Sequence, residues 1–135
     1  MQKYNTWGVP FSTIVFFERL VKGHSRVINV TRDRDIFFRI ERDDDTILNT
    51  LLLNEYRFGI ASLSKALEEF PETKYIVIGG NWNQSTLEAD NYAEENRIGI
   101  YNFSEFLGAI QYDNPHLKYI KKDDRENQNN TFRGA

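Results

Sequence analysis

The spacing of apolar residues along the chain changes several times, and each change marks an element. From Pro10 the spacing is helical. Ile14, Phe17 and Val21, joined by Phe16 and Leu20, make one broad apolar face. Pro10 suits a helix start and Gly23 a helix stop. Residues 26–30 (RVINV), 36–41 (IFFRIE) and 47–53 (ILNTLLL) then read as three strands. The charged run Arg32-Asp33-Arg34-Asp35 reads as a connection or strand end. Asp43-Asp44-Asp45 reads as a turn, because short carboxylates accept hydrogen bonds from nearby backbone N–H groups. Strands joined this closely are antiparallel neighbours, since a parallel pair needs a long crossover.

The period then returns to helical. Leu63, Ala66, Leu67 and Phe70 mark a helix closed by Pro71. Residues 75–78 (YIVI) form a continuous apolar run, as expected of a strand covered on both faces. Gly79-Gly80-Asn81-Trp82-Asn83 reads as a loop. Ser85-x-x-Glu88 has capping-box spacing and opens a helix carrying Ala89, Tyr92 and Ala93. Residues 97–101 make a last short strand. Asn102-x-x-Glu105 starts a final helix with Phe106, Leu107 and Ile110 facing inward. The order α-β-β-β-α-β-α-β-α predicts an α/β fold (α+β in the mixed sense). A three-stranded antiparallel meander joins α/β crossovers in one five-stranded mixed sheet, with helices on both faces. Phe37, Leu52, Ile76 and Ile78 are predicted to be buried.

Composition bounds this picture. The chain has 135 residues, enough for one domain with one core, and 40% of them are apolar. The pattern fades near Tyr112, so a domain over residues 1–112 is expected to precede a polar, mobile tail over 113–135, in which Leu117, Tyr119 and Ile120 can dock. No apolar run approaches the roughly 20 residues of a membrane span. Met1 leads into polar residues rather than a leader pattern. There is no cysteine, which removes disulfides, thiol nucleophiles and thiolate-bound zinc, and fits a cytoplasmic location. His24 and His116 are the only histidines, too few for a histidine-rich metal site. A net charge of −3 gives no global attraction to nucleic acid, so any such contact needs a local basic patch.

The α-β-β-β-α-β order resembles the common core of the restriction-endonuclease-like, or PD-(D/E)xK, fold. The later segments, 75–78, 85–96, 98–101 and 104–109, resemble a pattern found in bacterial proteins of that fold. Residues 10–110 are also similar to uncharacterised bacterial proteins with an N-W-N loop and an I-G-I…E-F-x-G-A ending. In superfamily members that cut nucleic acid, an Asp at the start of one strand and a (D/E)xK on the next hold magnesium and organise the attacking water. Hard carboxylate oxygens suit that ion. Asp35 matches the first acid. The third strand has no (D/E)xK, and the nearest substitute is Glu55-Tyr56-Arg57 beyond its end. Arg57 can stabilise negative charge but does not readily lose a proton to act as a base.

Each candidate site has a functional and a structural reading. Asp33, Asp35, Glu41 and Glu55 form either a divalent-metal cluster or solvated carboxylates, Asp33 and Asp35 then pairing with Arg32 and Arg34. Arg26, Arg32, Arg34, Arg39 and Arg42 form either a phosphate-binding patch or, interleaved with acids, a salt-bridged surface. Asn81, Trp82 and Asn83 follow a buried strand and precede a helix N-terminus, where free N–H groups favour anions. With Arg57 they are the candidate binding site, against a tight turn with Trp82 packed on the core.

The reading that follows is a non-catalytic restriction-endonuclease-like binding module, acting on nucleic acid or a protein partner, with phage or mobile-element processes as an expected setting and a homodimer compatible. No cofactor is expected. The alternatives are a magnesium-dependent nuclease with migrated acids (catalytic candidates Asp35, Glu41, Glu55 and Arg57; metal candidates Asp35 and Glu55) and a small-molecule or nucleotide-binding domain.

Overall fold

The structure is a computed structural model and describes residues 6–79 and 84–111. The loop residues Asn81, Trp82 and Asn83 and the segment 113–135 lie outside the described residues. The described chain forms α1 (Phe11–Lys22), β1 (Val27–Asp33), β2 (Phe37–Arg42), β3 (Ile47–Leu53), β4 (Arg57–Phe58), α2 (Ile60–Glu69), β5 (Tyr75–Ile78), β6 (Gln84–Ser85), α3 (Leu87–Glu95), β7 (Gly99–Tyr101) and α4 (Phe103–Ile110). The main sheet has the order β1-β2-β3-β5-β7. Its first three strands are an antiparallel meander, and β5 and β7 join in parallel. This is the five-stranded mixed sheet that the pattern predicts.

Three differences from the sequence reading have physical causes. β1 runs through Asp33, because Arg32 and Asp33 pair with Phe38 and Phe37 in the ladder. Backbone pairing is indifferent to side-chain charge at an edge strand. The turn to β2 spans three residues, Arg34, Asp35 and Ile36, and holds Arg34 and Asp35 at positive φ (49° and 70°). Such a backbone costs an arginine about 1–2 kcal/mol, and the Arg34 guanidinium recovers contacts over the Phe70 ring, 4.5 Å from its centroid. Second, α3 is capped by Thr86 rather than Ser85. Thr86 Oγ1 accepts from the Ala89 N–H at 3.2 Å, while Ser85 Oγ donates to Asp90 Oδ1 at 2.5 Å. Third, β4 and β6 form a separate parallel pair, too short to leave any periodicity in the sequence. The asparagine cap of α4 is as predicted, with a reciprocal box between Asn102 and Glu105.

Period-two alternation divides the sheet into two faces. Phe38, Ile40, Leu48, Val77 and Tyr101 lie on the face covered by α1 and α4, where Phe17 meets Phe38 edge-on and Phe106 packs on Tyr101. Phe37, Leu51, Ile76 and Ile100 lie on the other, where Phe37 stacks on Phe70 just after α2. Phe37, Leu52, Ile76 and Ile78 are all buried, as expected. Each such side chain contributes roughly 1.5–3 kcal/mol through removal from water. Ala89 and Ala93 also face inward, but Tyr92 is 40% exposed, on the outer side of α3. Two glycines are required by close approach. A Cβ at Gly79 would lie 2.9 Å from the Phe103 ring, and one at Gly99 would collide with the Tyr101 ring folded back over it.

Candidate functional site

Four of the five arginines between residues 26 and 42, all but Arg39, are given structural tasks. Arg42 shares a face of β2 with Phe38 and Ile40, so its side chain enters the core at only 1% exposure. There its Nε donates to Thr46 Oγ1 at 2.8 Å and its Nη1 donates to the Ile110 carbonyl at 2.9 Å. Thr46 Oγ1 in turn donates to Asp44 Oδ1 at 2.6 Å. Arg26 Nη1 donates to the Gln111 carbonyl at 2.8 Å, and its other nitrogens meet Asp43 and Asp44. His24 completes the group. The Arg26 backbone N–H donates to Nδ1 at 3.1 Å, which leaves Nε2 as the protonated nitrogen, 3.1 Å from the Leu107 carbonyl that accepts from it. Three carbonyls at the C-terminus of α4 are thus satisfied by side chains from β2 and from the connection that precedes β1, as the negative end of a helix dipole favours. The His24 ring engages the end of α4, while its backbone N–H donates to the Val21 carbonyl in the last turn of α1. The hydrogen bonds from the Thr46 hydroxyl and backbone, helped by Arg42 and Arg26, hold the Asp44 carboxyl well below its usual range, at about 2.

Arg32 pairs with Asp35 at 3.1 Å and lies 3.5 Å from Glu18, and Arg34 pairs with Asp33 at 3.2 Å. These are the salt-bridged surface of the structural reading. The carboxylates offered for magnesium are dispersed. Asp35 sits in the β1–β2 turn, and Glu41 lies six residues along β2, roughly 20 Å away at strand rise. Glu55 follows β3 at the same end of the sheet as Asp35, since Leu52 N–H donates to the Ile36 carbonyl beside it. Among the described residues no three metal-ligating side chains converge, so Asp35, Glu41 and Glu55 do not fit a shared magnesium ion.

The region around Arg57 is built differently. At the carboxyl end of β3 and β5, the Gly79 N–H donates to the Leu53 carbonyl at 2.9 Å. Gly79 lies against Thr13 in the first turn of α1 and Phe103 at the start of α4. Farther on, Arg57 pairs with Gln84 and Phe58 with Ser85, and the Thr86 N–H donates to the Phe58 carbonyl at 2.9 Å. Gly59, which precedes α2, lies beside Thr86, which caps α3. The segments leaving β3 and β5 are therefore held together at two anchor points, and each anchor carries a pair of helix N-termini. α3 and α4 have side-chain caps and acids in their first turns. α1 and α2 have neither, because Pro10 and Gly59 precede them. Among the described residues no side chain caps their first N–H groups, the helix end that favours an anion. Arg57 is exposed, Phe58 beneath it is buried, and Tyr56 beside it is 64% exposed.

The sequence reading missed the buried role of Arg42, although the alternation Phe38-x-Ile40-x-Arg42 carries the signal. It grouped Arg57 with Asn81, Trp82 and Asn83 as one candidate site but predicted neither β4 nor β6, and nothing local announces their pairing. Trp7 packs partly against the core, with Nε1 donating to Glu69 at 2.9 Å and Lys65 over its ring, so it joins the N-terminal segment to α2. No described helix is long and apolar enough to cross a membrane. Comparison of the chain with family models, with curated proteins and with solved structures finds no match.

Proposed function

We propose that this chain is a non-catalytic binding module of restriction-endonuclease-like architecture that recognises an anionic partner, with nucleic acid the favoured class. Recognition is assigned to the carboxyl end of β3 and β5, around Arg57 and Gly79. The observation that carries this reading is a double anchoring at described residues, Gly79 with Leu53 and Arg57 with Gln84. That anchoring gathers four helix N-termini, two of them uncapped, beside an exposed arginine. Outside the carboxyl ends of parallel strands is also where open α/β sheets commonly bind ligands. The dispersal of Asp35, Glu41 and Glu55 and the lack of an acid on β3 favour binding over metal-dependent cutting.

The test is a titration of the full chain with a single-stranded oligonucleotide, followed by NMR with and without magnesium. The expected result is a set of shifts confined to Arg57, Gly59, Gly79 and the first turns of α1 and α2, with the oligonucleotide left intact. Arg57→Ala should weaken binding and leave the melting temperature unchanged. Magnesium-dependent cleavage abolished by Asp35→Ala would replace this reading with the nuclease one. Shifts at the same amides with a mononucleotide alone would assign the site to a small ligand.

A further inference from the structure

The helices on the α2/α3 face of the sheet cover only part of it. Phe37, Leu51 and Ile76 lie beneath them, but at the other end of the meander Asn29, Thr31, Arg39 and Ile47 are exposed, and Glu41 and Asn49 are half-buried. The register sets these six residues in two rows across three strands. Thr31, Arg39 and Asn49 form one row, and Asn29, Glu41 and Ile47 the next. The patch is flat and about 14 Å on a side, from strand spacing and rise. At its centre are two opposite charges, two residues apart on β2. Arg26, Arg32, Arg34 and Arg42 each meet a carboxylate, whereas among the described residues Arg39 reaches only the Asn49 amide, at 3.5 Å. Glu41 has no ion-pair partner among the described residues.

We propose that this open face is an interface between two copies of the chain, related by a two-fold axis that crosses β2 between Arg39 and Glu41. A two-fold contact brings each residue of a pair onto the other's counterpart. With the axis in the plane of the interface and perpendicular to β2, the two sheets pack face to face with their strands antiparallel. Arg39 of one copy then opposes Glu41 of the other, and the same pair forms again on the far side of the axis. Thr31 opposes Asn29, two side chains able to hydrogen-bond, and Asn49 opposes Ile47. Aligned packing at about 10 Å between sheets leaves room for the arginine and glutamate to meet. A second copy is favoured over an unrelated acidic or basic partner because the patch carries one charge of each sign in a self-complementary order. A partner of one sign would leave one of the two charges facing its like. The patch is smaller than the roughly 800 Å² per partner of a standard interface, so the dimer is weak and sensitive to salt. It leaves Arg57 and the carboxyl end of β3 free and does not depend on the function proposed for them.

Sedimentation of the full chain from about 1 µM to about 1 mM, the range of a weak dimer, tests this with four samples: wild type, Arg39→Glu, Glu41→Arg, and an equimolar mixture of the two variants. The wild type should dimerise with rising concentration and less so in high salt. Each charge reversal sets like charges against each other twice, and should weaken self-association roughly tenfold or more. The mixture should recover wild-type association, because one variant offers two acids and the other two arginines. Circular dichroism should be the same for all, since both positions are on the surface. A wild type that stays monomeric throughout, single variants that dimerise as the wild type does, or a mixture that fails to associate would each overturn the proposal.

Discussion

Arg42 and Arg57 stand at opposite ends of the sheet, and their surroundings share almost nothing. Around Arg42, every charge has an assigned partner: Thr46, Asp44 and the Ile110 carbonyl for Arg42 itself, and Asp43, Asp44 and the Gln111 carbonyl for Arg26. Here a helix C-terminus is gripped by cations from β2 and from the connection that precedes β1. Around Arg57, helices begin rather than end, two of them without caps, and the guanidinium is exposed. Both ends place positive charge near a helix terminus. Among the described residues, only at the first does the chain supply a carboxylate to the arginine. An arginine is therefore informative about binding through what opposes it, and a cluster of arginines in the sequence does not by itself distinguish the two cases.

The comparison is tested most strongly at Arg42. Replacing it by Ala leaves the Ile110 carbonyl and Thr46 without their donor and Asp44 without its nearest buried cation, and should cost about 3 kcal/mol, near the lower end of the range for breaking a buried pair. Arg57→Ala should stay within about 0.5 kcal/mol, as an exposed side chain does. Urea unfolding of both variants measures the contrast, and equal losses would dissolve it.

A smaller effect comes from Asp44. Its folded carboxyl titrates at about 2 against an ordinary value of 3.8. A carboxyl lowered on folding contributes stability that is fully present above its unfolded pKa and is lost as pH falls through the folded one. The melting temperature should therefore fall between about pH 4 and pH 2, and Asp44→Asn should flatten that part of the curve while lowering the neutral plateau. A variant with the wild-type acid profile would place the acid sensitivity elsewhere.

The smallest change is a cap added where the chain has none. Gly59 has extended backbone angles, and a Cβ there would meet Thr86 Cγ2 only at an ordinary 3.6 Å. Gly59→Ser should stabilise the protein by a few tenths of a kcal/mol, about what a serine cap adds over glycine. It should also occupy the first N–H groups of α2 and weaken binding of an anionic partner. Stabilisation with binding unchanged would take α2 out of the candidate site.

Much of this fold was legible in local pattern. The helical spacing of Ile14, Phe17 and Val21, the continuous run Tyr75–Ile78 and the Asn102-x-x-Glu105 cap each reflect forces acting within a few residues, so the sequence displays them directly. The turn at Asp43–Asp45 belongs with these, since the Asp44 carboxylate accepts from the Thr46 N–H two residues on. Period-two alternation even carried the burial of Arg42, although its purpose did not follow from it.

What the sequence could not determine depends on residues far apart in the chain. That Arg42 meets the end of α4, 68 residues away, follows from the path of the whole sheet. The pairing of Arg57 with Gln84 rests on two-residue strands with no signal of their own, formed because β3 and β5 are neighbours and release their following segments together. The dispersal of Asp35 and Glu41 is likewise a property of β2 as a rigid extended strand, which keeps its two ends apart however close they are in sequence. Local chemistry chose the elements and their caps. Which charges are neutralised within the fold and which face outward was settled only when the sheet brought distant segments together, because a charge is satisfied by its neighbours in space.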